Sequence, residues 1–420
     1  MGVGPRHGVK VGDLAALRRA VDRRRNASAF DDELLASVRA SLRAVRRRGD
    51  GAVLRSVRRF DRRAATAADL WVDGAGLRRA ARSCPRELAR ALDLANANLR
   101  AFHRLQRPKE IAHRGRGLRA TLTPEPLRRV GGCVPRGTVG YPSTALMIGV
   151  PARIAGVQEL VLASPMPADG AVDPVLAYAA TLVGAKGLYR AGGAAAVAAM
   201  AYGTASLARV DKIVGPGNAF TTAAKWLVSA EVGIDGLQGP SELVVIASAD
   251  ADPTAIVLDL EAQAEHGTDA FAALVSDSAR LLEVVGAVVG RVGSRRGSIG
   301  LYRAPSLAAA LDAVTYAAPE HVNLAGRAAV ALAPRTRNAG AVFVGGSTPV
   351  ALGDYVAGTN HVLPTGGSAR WGSALRVEDF VRWTARVRAS RDLGRLAKAG
   401  AAVARYEGMD FHAASMELRA

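Results

Sequence analysis

The sequence predicts an α/β protein built on doubly wound parallel sheets. One observation is a rhythm that starts near Arg128. LVLAS (160–164) precedes AVDPVLAYAATLVGA, GLYRAGG (187–193) precedes AAAVAAMAYGT, and VDKIVGPGN (210–218) precedes AFTTAAKWLVSAEV. ELVVIAS (242–248) precedes DPTAIVLDLEAQAEH, and AFAALVSDS (270–278) leads into a further helical stretch. Short apolar strands joined by helical crossovers run parallel in an open sheet. A second observation is composition: 49% of residues are apolar, 5% are aromatic and 45 are glycine, which fits a globular α/β chain and excludes a disordered or fibrous one. A third is punctuation. Gly192-Gly193 and Gly215-Pro216-Gly217-Asn218 each fall between an apolar run and a helical stretch, where backbone N–H groups at a helix start suit a phosphate. Neither is the full GxGxxG fingerprint, and a glycine between strand and helix also serves geometry alone. The chain has 420 residues, more than one ordinary core, so two or more domains are expected.

The first 110 residues read as mainly helical. Between Asp31 and Arg48 the apolar stripe Leu34, Leu35, Val38, Leu42 and Val45 has helical spacing, two aspartates open it and Gly49 closes it. Leu77–Leu105 reads as helix with an interruption at Cys84-Pro85. The formal charge is +19. A basic total can mean nucleic-acid binding. Here arginine is spread without a basic motif, and the RRR runs at 23–25 and 46–48 fall at predicted helix ends, where solvated cations suit the helix dipole. No nucleic-acid partner is expected. Cys84 and Cys133 are too few for a disulfide framework and form no CxxC site. The first residues lack an apolar targeting core and no later run is long enough to span a membrane, so a soluble, cytoplasmic protein is expected.

Polar residues cluster in four places. Of seven histidines, four sit in QAEH (263–266), PEH (319–321), GDYVAGTNH (353–361) and EGMDFH (407–412). A lone histidine is more often structural, but four beside carboxylates, amides and glycine turns are poorly explained as core. Gln263 and His266 are three apart and share a helix face. With Asp354 and His412 they can bind a borderline divalent ion such as zinc, although the spacing is no strong zinc signature and glutamine is an uncommon ligand. Glu320 and His321 offer adjacent acid/base groups on a loop; the plainer alternative is a capping glutamate beside a surface histidine.

Taken in order, VRRRGDGAVL (45–54), FD (60–61), GPGNAF (215–220), IDGLQGPSELVVIA (234–247), QAEHGTDA (263–270), YAAPEHVNL (316–324), ALGDYVAGTNHVLPTGGSAR (351–370) and EGMDFHAASMELR (407–419) resemble histidinol dehydrogenase nearly end to end. The resemblance implies two doubly wound Rossmann-like domains with helical N- and C-terminal extensions: 1–28 as the first extension, 29–127 plus 240–372 as the metal and catalytic domain, 128–239 as the cofactor domain, and 373–420 as a C-terminal extension that reaches a partner subunit. It implies one zinc per subunit on Gln263, His266, Asp354 and His412, and Glu320 and His321 as the acid/base pair. Ser241, Tyr355, His361 and Glu407 match substrate-contacting positions, and Asn218 a contact to NAD. The implied reaction is the four-electron oxidation of L-histidinol to L-histidine with two NAD⁺, in a homodimer with shared sites.

Four positions depart from the family. Cys133 stands where it usually has tyrosine, Arg136 replaces the first glycine of a VPGG turn, Ala195 replaces a cofactor-contacting glutamine, and Gln238 replaces the alanine of AGPSE. Three of these lie in the part assigned to NAD, so an altered cofactor grip is expected. A divergent paralogue acting on another amino- or sulfo-alcohol, or a non-catalytic one, is the rival reading. Tyr355 after Asp354, where sulfopropanediol dehydrogenases typically carry lysine, and the presence of Glu407 favour an imidazole-amine substrate.

Overall fold

The computed structural model describes residues 11–28, 30–115, 117–292, 297–389 and 393–420. Strands are numbered along the chain. One sheet contains β1 (Val11–Asp13), β10 (Glu242–Ala247), β11 (Phe271–Ser276), β12 (Ser298–Arg303), β13 (His321–Ala325) and β14 (Ala341–Val344) in the order β1-β12-β11-β10-β13-β14, all parallel. Another contains β2 (Trp71–Asp73), β5 (Arg129–Cys133), β6 (Glu159–Ala163), β7 (Gly187–Tyr189), β8 (Lys212–Val214) and β9 (Gly233–Ile234) in the order β2-β7-β6-β5-β8-β9, parallel except for β2. β3 (Ile111–Gly115), β4 (Leu118–Pro126) and β15 (Val381–Ala389) form a small antiparallel sheet. Both large sheets are doubly wound, as the alternation of apolar runs and helices requires. β10 and β5 each have their next strands on one side and a later strand on the other.

Burial explains the strand texture. Every residue of β11 and β13 is buried, and so are five of the six in β10, which is why these strands read as continuous apolar runs instead of alternating ones. Their faces form two core clusters around Val244, Ile246 and Leu324 and around Leu243, Val245 and Leu274. The second sheet is sandwiched in the same way by clusters around Val161 and Met200 and around Leu146 and Leu162.

The helical stripe of the N-terminal region forms as its spacing dictates. The helix Asp32–Arg48 is capped by Asp31, whose side chain accepts from Leu34 N, and Gly49 ends it at φ 51°. Val38, Leu42 and Val45 are buried, with Leu34 and Leu35 packed beside them. Helices Gly74–Ala81 and Arg86–Arg104 are separated at Pro85, the second burying Leu92, Ala95, Leu99 and His103.

The expected boundaries need correction. The segment 29–127 does not add to the sheet of β10. The helix Asp32–Arg48 packs on helices Gly193–Tyr202 and Ala219–Val228, and β2 pairs antiparallel with β7, so residues 30–105 complete the second sheet. Their amphipathic faces bury against the alanine-rich face left open there. The N-terminal extension is not wholly helical: β1 is an edge strand beside β12, followed by the helix Leu14–Ser28. The C-terminal segment likewise contains a strand, β15, laid along β4 and reached through the 3-10 turn Val377–Phe380. The arginines at 24 and 25 are not simply solvated. Arg24 donates to Asp269 O, and Arg25 donates to Tyr316 O and Ala317 O at 2.8 Å each. Among the described residues no helix is long and apolar enough to cross a membrane.

Candidate active site

Polar groups converge at the amino ends of β10 and β13. Open parallel sheets usually bind ligands at the carboxyl ends of their strands, whereas Glu320 and His321 stand at the amino end of β13. The first residues of a parallel strand carry N–H groups that the ladder leaves free, and here one is used. Glu242 N donates to Glu320 Oε2 at 3.0 Å, and Ser241 Oγ donates to the same oxygen at 2.6 Å. Glu320 is positioned by the end of the preceding helix: Ala318 adopts a left-handed φ of 43°, Pro319 follows, and Gly340 N and Ala341 N donate to Pro319 O and Glu320 O.

Glu320 is 7% exposed and His321 2%. Burial pushes the Glu320 carboxyl up to about 7 against the lowering by Ser241 and Glu242, with Asp354 raising it further. Burial lowers His321, against the pull of Asp354 and of the Glu242 carbonyl. Its Nδ1 lies 3.2 Å from Glu242 O and 3.6 Å from Glu320 Oε2. A proton on Nδ1, donated to that carbonyl, leaves Nε2 as a bare lone pair, and the imidazole is neutral at pH 7. Burial thus disfavours the charged form of both groups, raising the carboxyl and lowering the imidazole, so the pair presents a carboxyl that titrates about 7 beside a neutral imidazole.

Around them stand the other candidates. His361 Nδ1 lies 2.9 Å from Asp354 O and its Nε2 lies 3.2 Å from Thr144 Oγ1, at the start of the helix Pro142–Ala155 that follows β5. Burial lowers His361, and Asp354 and His266 both act on its charge. Asp354 sits on the short helix Ala351–Tyr355 and Tyr355 is 61% exposed beside it. The site therefore lies between the amino edge of the first sheet and elements that leave the carboxyl edge of the second.

Gln263 is 3% exposed in the last turn of the helix Pro253–Ala264, and its amide nitrogen has no partner. His266 lies just beyond that helix, not on its face. Its Nδ1 is 3.2 Å from Gln263 O and 3.3 Å from Ala262 O, and Gly267 follows with φ 153°. An unpartnered buried amide, whose oxygen and nitrogen exchange on a flip, beside an imidazole with Nδ1 on carbonyls and Nε2 free, fits a metal ligand pair. Among the described residues no group of three His, Cys, Asp or Glu is assembled to hold an ion. His412 and Glu407 are exposed on the helix pair Gly394–Tyr406 and Asp410–Glu417, which packs on itself through Ala401, Ala404, Ala413 and Met416.

Asn218 caps the helix Ala219–Val228, its side chain accepting from Thr221 N at 3.1 Å, in the turn that leaves β8. β5 and β8 flank the switch point of the second sheet, where a dinucleotide crevice is expected. The loop after β5 carries Arg136, which donates to Thr138 O at 3.2 Å. The other departures are not at the crevice surface. Cys133 is buried, its thiol pushed up to about 12 by burial, and Ala195 is packed in the core. Gln238 is buried beneath the turn. Sequence reading missed Glu242. It is half-buried, its Oε2 accepts from Gly366 N at 3.1 Å, and burial and then Glu320 push it up to about 7. A carboxylate heading an otherwise apolar strand was the available signal.

Two doubly wound sheets, each covered on both faces, with a buried carboxyl and imidazole at the edge of one, define an α/β protein of two Rossmann-like sheets. The sequence profile of the family "Histidinol dehydrogenase" matches residues 23–420. The chain belongs to the histidinol dehydrogenase family and is an oxidoreductase. It is 42% identical to histidinol dehydrogenase of Synechococcus sp. over 96% of both chains. It is 43% identical to that of Rhodopseudomonas palustris over 93% of this chain and 94% of the relative. The crystal structure of histidinol dehydrogenase from Elizabethkingia anophelis superposes with a TM-score of 0.88 at 27% identity, covering 100% of this chain and 99% of that one.

Proposed function

We propose that the chain oxidises L-histidinol to L-histidine in two steps through bound histidinal, with NAD⁺ as oxidant and zinc as a resident ion. The observation that carries this is the neutral, buried His321 with Nε2 free, beside a Glu320 whose carboxyl titrates near neutrality. His321 removes the hydroxyl proton of the alcohol. Glu320, ionised, takes a proton from water to hydrate the aldehyde, and Ser241 and Glu242 N–H steady the carboxylate in its charged form. When bound, NAD⁺ supplies a hydride acceptor for each oxidation, and zinc supplies a Lewis-acid anchor for the imidazole and amine of the substrate.

Gln263, His266 and Asp354 would hold the ion, with His412 as the fourth ligand. Ser241, Tyr355 and His361 would meet the substrate, Glu407 its cationic nitrogen, and Asn218 the dinucleotide. His412 and Glu407 would come from the second subunit of a homodimer. What supports this is the detached helix pair with its exposed apolar side chains, Tyr406 at 93% and Phe411 at 91%. A shared site keeps the aldehyde from escaping between steps. The catalytic unit would be built on the sheet of β10 and the cofactor unit on that of β5, in the cytoplasm. Incubating the purified protein with L-histidinol and NAD⁺, with and without added zinc, tests the reading. Two NADH per histidine formed is expected, and no turnover in either condition overturns it.

A further inference from the structure

The turn that leaves β8 is held from beneath by charges that the proposed reaction does not use. Lys225 and Asp235 form an ion pair at 2.5 Å with side chains only 1% exposed each. The pair grips both sides of Gly215: Asp235 Oδ2 accepts from Gly215 N at 2.7 Å, and Lys225 Nζ donates to Gly215 O at 2.9 Å. Gly215 has φ 100°, and a Cβ there would sit 2.5 Å from Cys133 O, so the turn has one shape and no room to slide. The third proton of Lys225 goes to Gln238 Oε1 at 2.8 Å, while Gln238 O accepts from Thr222 Oγ1 at 2.8 Å. The next residue, Gly239, donates its N–H to Thr365 Oγ1 at 2.6 Å, and Ser241 reaches Glu320.

A buried ammonium with three acceptors is fully satisfied only when all three are in place. It leaves its own charge no role at a ligand and makes it a strut. Helix Ala219–Val228, the turn 215–218 and the crossover 235–241 are thereby fixed to one another. We propose that Lys225, completed by Gln238, is a positioning residue that fixes the Gly215–Asn218 turn in the shape that receives the dinucleotide. This rests on the reading that the turn binds NAD⁺. Gln238 contributes from a position where the resembling family carries alanine, so this chain gains one acceptor for the lysine.

The test measures NAD⁺ affinity by fluorescence titration of the intact protein, with KM for NAD⁺, KM for L-histidinol and the unfolding temperature alongside. Lys225→Met should weaken NAD⁺ binding about tenfold or more, and Gln238→Ala about threefold to tenfold, a fraction of the tenfold or more that a bond to a charged group is worth, because the lysine keeps its other two acceptors. KM for the alcohol should stay within about twofold in both, since the acid/base groups are untouched. Thr222→Val, which frees Gln238 O without removing charge, should act in the same direction as Gln238→Ala and provides a folded variant if Lys225→Met does not fold. Folded Gln238→Ala and Thr222→Val proteins that bind NAD⁺ like the wild type, with only a lower unfolding temperature, overturn the inference alone. A wild-type protein that binds no NAD⁺ overturns the functional reading and this inference with it.

Discussion

Ser241 Oγ lies 2.6 Å from Glu320 Oε2 and donates to it, so the side chain just before one strand bears on the charge of the residue just before the next strand but two along the chain. That hydrogen bond opposes the upward push of burial on the carboxyl. Ser241→Ala removes it and should raise the carboxyl further above 7. The pH at which kcat for supplied histidinal reaches half its maximum should rise by about one to two units, since a bond to a charged group is worth about 1.5–3 kcal/mol. An unmoved profile would show that Ser241 does not tune Glu320.

The acid and the base should separate by step. His321→Asn should slow oxidation of the alcohol, and Glu320→Gln should chiefly slow oxidation of the aldehyde, each by about 10²-fold or more. Single-turnover kinetics from each starting compound will read this. Equal, small losses in both steps would remove the assigned roles.

Stability of the metal-free protein should fall across neutrality. Glu320 and Glu242 are both raised from 4.5 to about 7, so the folded state holds their protons. Their contribution is complete below the unfolded value and is lost as pH rises through about 7. His321 and His361, lowered by burial, act in the opposite window: their contribution is present above 6.5 and is lost as pH falls through their folded values. Glu320→Gln, neutral at every pH, should raise the unfolding temperature at about pH 8 in chelator and flatten the fall that precedes it. A lower unfolding temperature for the variant at that pH contradicts the direction of the shift.

Assembly should be required for activity. His412→Ala and His321→Ala homodimers should each be inactive, and subunit exchange between them should regenerate one complete site per hybrid dimer. Exchange confirmed by mass spectrometry with no return of activity would place His412 in the site of its own chain.

Much of this was legible in the sequence because it is local. The apolar runs and glycine turns set the strands and helices, Asp31 and Gly49 set the ends of a helix, and the adjacency of Glu320 and His321 put a carboxyl beside an imidazole before any fold was known. The motifs that carry the family resemblance are contiguous stretches, so the family too was written there.

Only the tertiary structure decided which sheet the N-terminal helices complete, that residues 118–126 pair with 381–389, that Glu242 lies against Glu320, that Thr144 meets His361, and that Lys225 braces Gly215 from below. The physical reason is the same in each case. An amphipathic face or a buried polar group states that it needs a partner, but hydrophobic burial is non-directional. Which distant segment supplies that partner is settled only when the whole chain packs.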